Sequence, residues 1–262
     1  MSPHNLADFE TDHGLPRASY DEQLEALQQR LELIQAAYIA QGLKAIVALE
    51  GWDAAGKGGL VTRMAATLDP RYCKVWPISA PSREEAARHY LWRFWQRLPG
   101  DREIAVFDRT WYGRVLVERV DGFTPEPRWR AAYDEINAFE ALLLADGTRL
   151  VKIFLHISQK EQDKRLAERI TTPWKRWKTG KDDYHNRSKR SAYMAAYHDM
   201  FRLCSPPAAP WHVVAANDKK HARVHSLELI CDALGAGVDL QWPAPDAALV
   251  KIAEKALGKK LF

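Results

Sequence analysis

Residues 44–57 read Lys44-Ala45-Ile46-Val47-Ala48-Leu49-Glu50-Gly51-Trp52-Asp53-Ala54-Ala55-Gly56-Lys57, a short apolar run followed at once by G-x-x-x-x-G-K. The run from 44 to 50, apolar throughout 45–49, has the length and hydrophobicity of a strand buried on both faces of a parallel sheet. Gly51 and Gly56 admit backbone angles denied to other residues, so successive amides can point into one anion-binding hollow. A helix predicted from Gly58 to Leu68 brings its positive end to the same point, and Lys57 adds a full charge. A glycine-rich turn can arise for structural reasons alone. Here strand, spacing, lysine and helix stand in register, the context a phosphate loop needs. The candidate phosphate contacts are Gly51, Ala54, Ala55, Gly56, Lys57, Gly58 and Gly59.

The usual motif places Ser or Thr after the lysine, and that hydroxyl binds Mg²⁺; here Gly58 and Gly59 follow. Another oxygen must then hold the metal. Asp53, inside the loop, is the candidate, because a hard cation takes carboxylate ligands. A second carboxylate stands at the end of the strand Ile104–Asp108. An acid at the carboxyl end of a neighbouring parallel strand lies beside the phosphate loop, in the place of a Walker B aspartate. A strand-end Asp can equally cap the next helix. Arg109 and Arg114 follow within six residues, however, and their planar forks suit phosphate oxygens. Arg83, at the start of a helix after Pro81-Ser82, is a further candidate for an anion contact.

Outward from this centre, strands alternate with helices. Strands are predicted at Cys73–Ile78, Ile104–Asp108, Leu150–Ile157 and Trp211–Ala215. Helices are predicted at Asp21–Ala40, Arg83–Leu98, Arg128–Leu144, Gln159–Ile170 and Ala222–Leu234, with a short amphipathic one at Ala247–Leu257 after Pro243 and Pro245. Alternation of this kind implies βαβ units and a parallel sheet flanked by helices. Residues 1–19 form an N-terminal arm, and 20–262 a single domain. Residues 171–205 interrupt the alternation with a basic helical insertion (helix from Arg187 to Phe201) that could serve as a lid. Between Lys164 and Arg190 there are ten Lys or Arg against Glu168, Asp182 and Asp183. Such a run is either a solvated face or a surface that holds a polyanion.

The net charge of +4 over 262 residues is too small to mark a nucleic-acid binder. Cys73, Cys204 and Cys231 fit no metal or redox spacing and suit a reducing compartment. No basic-then-apolar leader opens the chain and no apolar run approaches 18 residues, so a cytoplasmic protein without a membrane span is expected.

At this level of detail the residues resemble a known family. Glu50 to Gly59 is similar to the phosphate loop of the type-2 polyphosphate kinases, and so is Phe107 to Val120, with Thr110 where that family usually has Ser. The likeness continues through Tyr90–Trp95, Glu135–Glu140, Leu155–Ser158, Pro173–Lys178, Ala209–Trp211 and Asn217–Lys219, covering about residues 20 to 235. It implies a thymidylate-kinase-like P-loop kinase fold that moves a terminal phosphate between inorganic polyphosphate and a nucleoside mono- or diphosphate, with Mg²⁺ or in its place Mn²⁺. By the matching motifs Asp53, Lys57, Asp108 and Arg109 carry over as catalytic or metal-binding positions, with Asp53 and Asp108 as the metal ligands. Lys175, Arg176 and Lys178 carry over as lid residues near the phosphates. Thr172–Lys178 with Asn186-Arg187 look most like the AMP-using subgroup, whose best-known members carry two fused copies of the domain where this chain has one. The lid departs from the pattern at Lys189-Arg190-Ser191, where a tryptophan is common.

Mechanistically, Lys57 and the lid would hold the terminal polyphosphate, and Arg109 and Arg114 the phosphate in flight. Trp174 and Trp177, at i and i+3, are expected to anchor the lid while its cations reach inward. A homo-oligomer is expected, without nucleic acid or membrane as partner. The competing readings are an ATP-dependent nucleotide or small-metabolite kinase, a nucleotide-binding regulator without turnover, and a basic nucleic-acid-binding module.

Overall fold

The structure is a computed structural model and describes residues 5–241 and 245–261. At its centre is β1 (Ala45–Gly51), buried at all seven positions. On one side it pairs in parallel with β3 (Ile104–Asp108), Leu49 opposite Asp108. On the other it pairs with β4 (Arg149–His156), Gly51 opposite Leu155. β2 (Cys73–Pro77) lies outside β3 and β5 (Trp211–Ala215) outside β4, so the order is β2-β3-β1-β4-β5, all parallel. The five strands lie where they are predicted, because short, mainly apolar and β-branched or aromatic segments between helices fit buried parallel strands.

Successive residues of a strand face opposite sides of the sheet. On one side of β4, Lys152 meets Glu140 of α6 (Glu126–Ala145), and Phe154 meets Tyr197 and Phe201 of α9 (Arg190–Leu203). On the other, Leu155 lines a small cleft with Ala222 of α10 (Lys219–Gly235). α1 (Arg17–Gln41) packs along α10, its Tyr38 hydroxyl donating to Leu234 O at 3.0 Å. The sheet is thus covered on both faces, as parallel sheets require.

Lys152 is fully buried in the middle of β4. Its ammonium donates to Glu140 Oε2 (2.7 Å), Tyr112 Oη (3.0 Å) and Cys204 O (2.9 Å), while Trp111 Nε1 and Tyr112 Oη donate to Glu140 Oε1. This network ties α6 to the turn that follows β3, and so fixes where the β3 loop leaves the sheet. A buried ion pair contributes little over an apolar replacement, yet removal of one partner strands a charge. Lys152→Met is therefore expected to cost about 3–5 kcal/mol, read from urea unfolding, and Lys152→Met/Glu140→Leu to recover most of it.

Three regions differ from the sequence reading. The helix predicted over 83–98 is two single turns, α3 (Arg83–Ala86) and α4 (Trp92–Trp95). Between them the side chain of His89 takes the amide of Leu91, at 3.4 Å, in place of a helical carbonyl. The insertion is also only partly surface. Its first part is a 3-10 turn at Pro173–Lys178 and α8 (Lys181–Ser188), whereas α9 buries Tyr193, Ala196, Tyr197, Met200 and Phe201 in the core. Thirdly, Trp174 and Trp177 are 74% and 80% exposed, so they do not anchor this segment. The segment is held instead by polar latches: Lys189 to Asp121 at 2.6 Å and Arg187 to Asp163 at 2.6 Å.

The arm, in its described residues, includes a 3-10 turn at Leu6–Phe9 whose Leu6 is fully buried, and α1 begins earlier than expected, at Arg17. At the other end, α11 (Ala247–Leu257) matches its prediction and has no buried residue among its described side chains. Pro243 and the first four residues of the arm lie outside the described residues.

Candidate active site

The loop between β1 and α2 (Lys57–Ala65) supplies the centre of the site. Gly51 has φ +138° and an added Cβ would lie 2.3 Å from Leu155 O, so no other residue fits where the strand leaves the sheet. Gly56, at φ +120°, caps α2 without any side-chain cap. The first amides of α2, at Lys57, Gly58 and Gly59, therefore keep no helical partner. Among the described residues the amides of Asp53, Ala54 and Gly56 also have no acceptor, whereas Ala55 N is already given to Trp52 O at 3.0 Å. The result is a set of N–H groups without partners at a helix N-terminus, suited to phosphate oxygens. Lys57 is buried and donates to Gly51 O (2.7 Å) and Trp52 O (3.2 Å), leaving the third ammonium hydrogen for a ligand.

Asp53 is joined to two other elements. Its Oδ1 accepts Arg109 Nη2 and its Oδ2 accepts Asn186 Nδ2 of α8, each at 2.8 Å. Burial works against its ionisation, but Lys57, Arg109 and the Asn186 hydrogen bond outweigh it and hold the carboxyl below the usual range. Burial likewise works against charge on Arg109, and Asp53 and Glu50 more than offset it, raising its pKa above the ordinary guanidinium value. Arg109 adopts φ +67° and Ala54 φ +66°, both uncommon for non-glycine residues. Such backbone conformations concentrate at functional sites, where the surrounding structure enforces them. For Arg109 the enforcing contact is its amide, given to Leu49 O at 3.0 Å. Asp108, the last residue of β3, is half-buried beside β1, and its carboxylate makes no hydrogen bond among the described residues.

A cleft of about 520 Å³, open to solvent, lies against this loop. Its walls include Glu50, Trp52, Asp53, Arg109, Gln162, Asn186 and Tyr193. Glu50 was not among the residues expected from sequence. Burial raises its pKa, opposed by Lys57 and by Thr110, which donates both its amide and its hydroxyl to Glu50 Oε1 at 2.8 Å. The signal for Glu50 was present: an acid ending an otherwise apolar strand one residue before the loop.

Gln162 and Arg165 of α7 (Gln159–Thr171) were also missed. Gln162 Nε2 donates to Asp53 O at 3.2 Å, and Arg165 Nη1 to Ala54 O and Ala55 O at 3.0 Å each. These bonds take the carbonyls on the outer side of the loop while the amides of Asp53, Ala54 and Gly56 stay open. In the sequence Arg165 is hidden among the ten cations of 164–190.

That run does not form one basic surface. Arg165 and Arg190 are buried, and Arg187 and Lys189 are paired with Asp163 and Asp121. Lys175 pairs with Glu168, Arg176 Nε donates to Ile170 O at 2.9 Å, and Lys178 lies over the Trp177 ring at 5.0 Å. Among the other candidates, Arg114 is turned to Glu118 (2.8 Å), Thr124 and the Tyr90 ring, and does not line the cleft. Arg83 begins α3, is exposed, and has no ion pair or side-chain hydrogen bond among the described residues.

A phosphate loop after the central strand, a carboxylate at the end of the next strand and an all-parallel sheet define a P-loop kinase fold. The sequence model of polyphosphate kinase 2 (PPK2) matches residues 14–238. The chain is 46% identical over 223 residues to a polyphosphate:AMP phosphotransferase of Pseudomonas aeruginosa, covering 85% of this chain and 45% of that one. It is 37% identical to an AMP/ADP-polyphosphate phosphotransferase of Meiothermus ruber, covering 88% and 86%. A crystal structure of polyphosphate kinase 2 from Arthrobacter aurescens superposes with TM-score 0.84 at 33% identity, covering 98% of both chains. This chain belongs to the polyphosphate kinase 2 family. It spans about half the length of the polyphosphate:AMP phosphotransferases it matches. Among the described residues no helix is long and apolar enough to cross a membrane.

Proposed function

We propose that the chain transfers a phosphoryl group between inorganic polyphosphate and AMP or ADP, with Mg²⁺. The observation that carries this reading is the Asp53–Arg109 pair at the mouth of a phosphate loop that lacks the usual Ser or Thr hydroxyl. Its similarity to a polyphosphate:AMP phosphotransferase and to an AMP/ADP-polyphosphate phosphotransferase supports it.

Asp53 and Asp108 supply two carboxylates, which are hard oxygen donors. That suits Mg²⁺, which takes one or two carboxylates and keeps water and substrate phosphates for the rest. When bound, the ion neutralises charge on the phosphates. The chain's own part is positioning and electrostatics, the main requirements of phosphoryl transfer. The loop amides and Lys57 hold the terminal phosphate of the polyanion. Arg109, kept cationic and aimed by Asp53, faces the equatorial oxygens of the group in transfer. Asp108 keeps the acceptor phosphate deprotonated and in line. Asn186 links the lid segment, here residues 171–189, to Asp53.

The test is incubation with polyphosphate, Mg²⁺ and each nucleoside mono- or diphosphate, without ATP, with products separated by chromatography. Formation of ADP from AMP supports the reading. Transfer only when ATP is the donor overturns it in favour of an ordinary nucleotide kinase.

The lid gives a narrower prediction. Lys175→Gln/Arg176→Gln/Lys178→Gln is expected to raise the KM for polyphosphate severalfold and leave that for nucleotide near its parent value. The salt dependence of polyphosphate binding becomes shallower as well, because fewer charge contacts remain to be screened. Were these residues only a solvated face, both measurements would match the parent.

A further inference from the structure

Residues 5–16 lie ahead of α1, and Glu10 precedes residue 14, where the family match begins. This short segment is nonetheless fastened to the body at several points. Leu6 is fully buried, His13 stacks on His221 with ring centroids 4.1 Å apart, and Glu10 O accepts Asn217 Nδ2 at 2.7 Å. The Glu10 carboxylate lies 3.3 Å from His156 Nε2 and 3.8 Å from Arg190 Nη2.

His156 and Arg190 both hold the same side chain, Trp52. Trp52 Nε1 donates to His156 Nδ1 at 2.9 Å. An indole N–H can only donate, so Nδ1 carries no proton and the ring proton of the neutral imidazole sits on Nε2, toward Glu10. Burial keeps His156 neutral, lowering it to about 4, with the Glu10 hydrogen bond opposing and Arg190 reinforcing the shift. The Arg190 guanidinium lies over the Trp52 ring at 3.9 Å, itself held by Gln162 Oε1 (2.9 Å) and Ile157 O (2.6 Å). Trp52 stands between Gly51 and Asp53, and its carbonyl accepts both Lys57 Nζ and Ala55 N. The chain of contacts therefore runs from the arm to Lys57, expected to meet phosphate, and to Asp53, expected to hold the metal.

We propose that Glu10 is a positioning residue of the phosphate loop: it accepts the Nε2–H of His156 and so holds that ring against Trp52, and with Trp52 the placement of Asp53 and Lys57. Its effect on rate rests on the phosphotransferase reading; its effect on His156 and Trp52 does not. Glu10 is partly exposed on the arm, so its replacement leaves the core intact.

The experiment compares full-length wild type, Glu10→Ala and Glu10→Gln. Gln keeps an oxygen acceptor for Nε2–H but loses the charge toward Arg190. The first readout is the ¹⁵N NMR of the His156 ring and the Trp52 indole N–H, assigned from Trp52→Phe and His156→Gln spectra. Glu10→Ala is expected to shift both signals and Glu10→Gln to restore them. The second is kinetics: Glu10→Ala lowers kcat about 10-fold with little change in the KM for nucleotide, as expected of a small misplacement of reacting groups, and Glu10→Gln recovers most of the loss. Unchanged His156 and Trp52 signals in Glu10→Ala overturn the proposal, as does an unchanged kcat in an active enzyme. A rate loss matched by a fall in thermal stability, without rescue by Gln, would make Glu10 a brace of the fold and also overturn it. If the wild type transfers no phosphate from polyphosphate, the functional reading fails by itself, and the resonances alone decide the role of Glu10.

Discussion

Lys57→Ala is expected to lower kcat by roughly 10²–10³-fold, the usual cost of removing one fixed charge-stabilising donor from a reacting site. Two of the ammonium hydrogens are spent on Gly51 O and Trp52 O, so the third is aimed by the loop itself with little rotamer freedom left. Trp52 O keeps the amide of Ala55 when Lys57 is lost, so the turn survives while the charge goes. Circular dichroism and thermal melting should stay close to the parent, and the change should appear in single-turnover transfer from polyphosphate. Lys57→Arg is expected to rescue only partly, because a planar fork does not replace a compact ammonium in a buried position. Near-normal turnover of Lys57→Ala would place the reaction away from this loop.

The second large effect belongs to Asp53. Asp53→Asn retains shape but removes the anion that pairs with Arg109 and accepts from Asn186. Two losses follow, a hard ligand for Mg²⁺ and the group that aims Arg109. The variant is expected to need more Mg²⁺ for half-maximal activity and, even at saturating metal, to fall about 10²-fold in kcat. Asp108→Asn removes a carboxylate without hydrogen-bond partners among the described residues and leaves Asp53 to aim Arg109, so extra Mg²⁺ should recover more of its activity, apart from what Asp108 contributes to the acceptor phosphate. The contrast is read from Mg²⁺ titrations of both variants. If Asp108→Asn alone raised the Mg²⁺ requirement, Asp53 would be a brace for Arg109 and not a metal ligand.

Both predictions depend on what surrounds the loop as much as on the loop. Arg165 and Gln162 take the carbonyls of Asp53, Ala54 and Ala55 from outside, and Arg190 with His156 holds Trp52. A phosphate site of this kind consists of backbone amides, which no single side chain can orient. The neighbouring helices orient them by occupying the opposite side of the same peptide units.

The sequence alone determined the central strand, the loop and the order of βα units. These rest on local physics: apolar runs too short and too continuous to be helices, and glycines where the backbone must take positive φ. Asp53 and Arg109 were legible for the same reason, since each belongs to a short segment whose neighbours give its context. Tertiary structure decided everything that depends on contacts between distant segments. It assigned Arg165 and Arg190 to the interior and left Lys175, Arg176 and Lys178 outside, although all five sit in one basic run. It broke the helix predicted over 83–98, exposed Trp174 and Trp177, and turned Arg114 away to Glu118. It also brought Glu10 to His156, 146 positions along the chain. A cation or an aromatic ring carries the same composition signal whether it faces water or a carbonyl. Only the packing of elements far apart in sequence sets its partner, and with it its charge state and role.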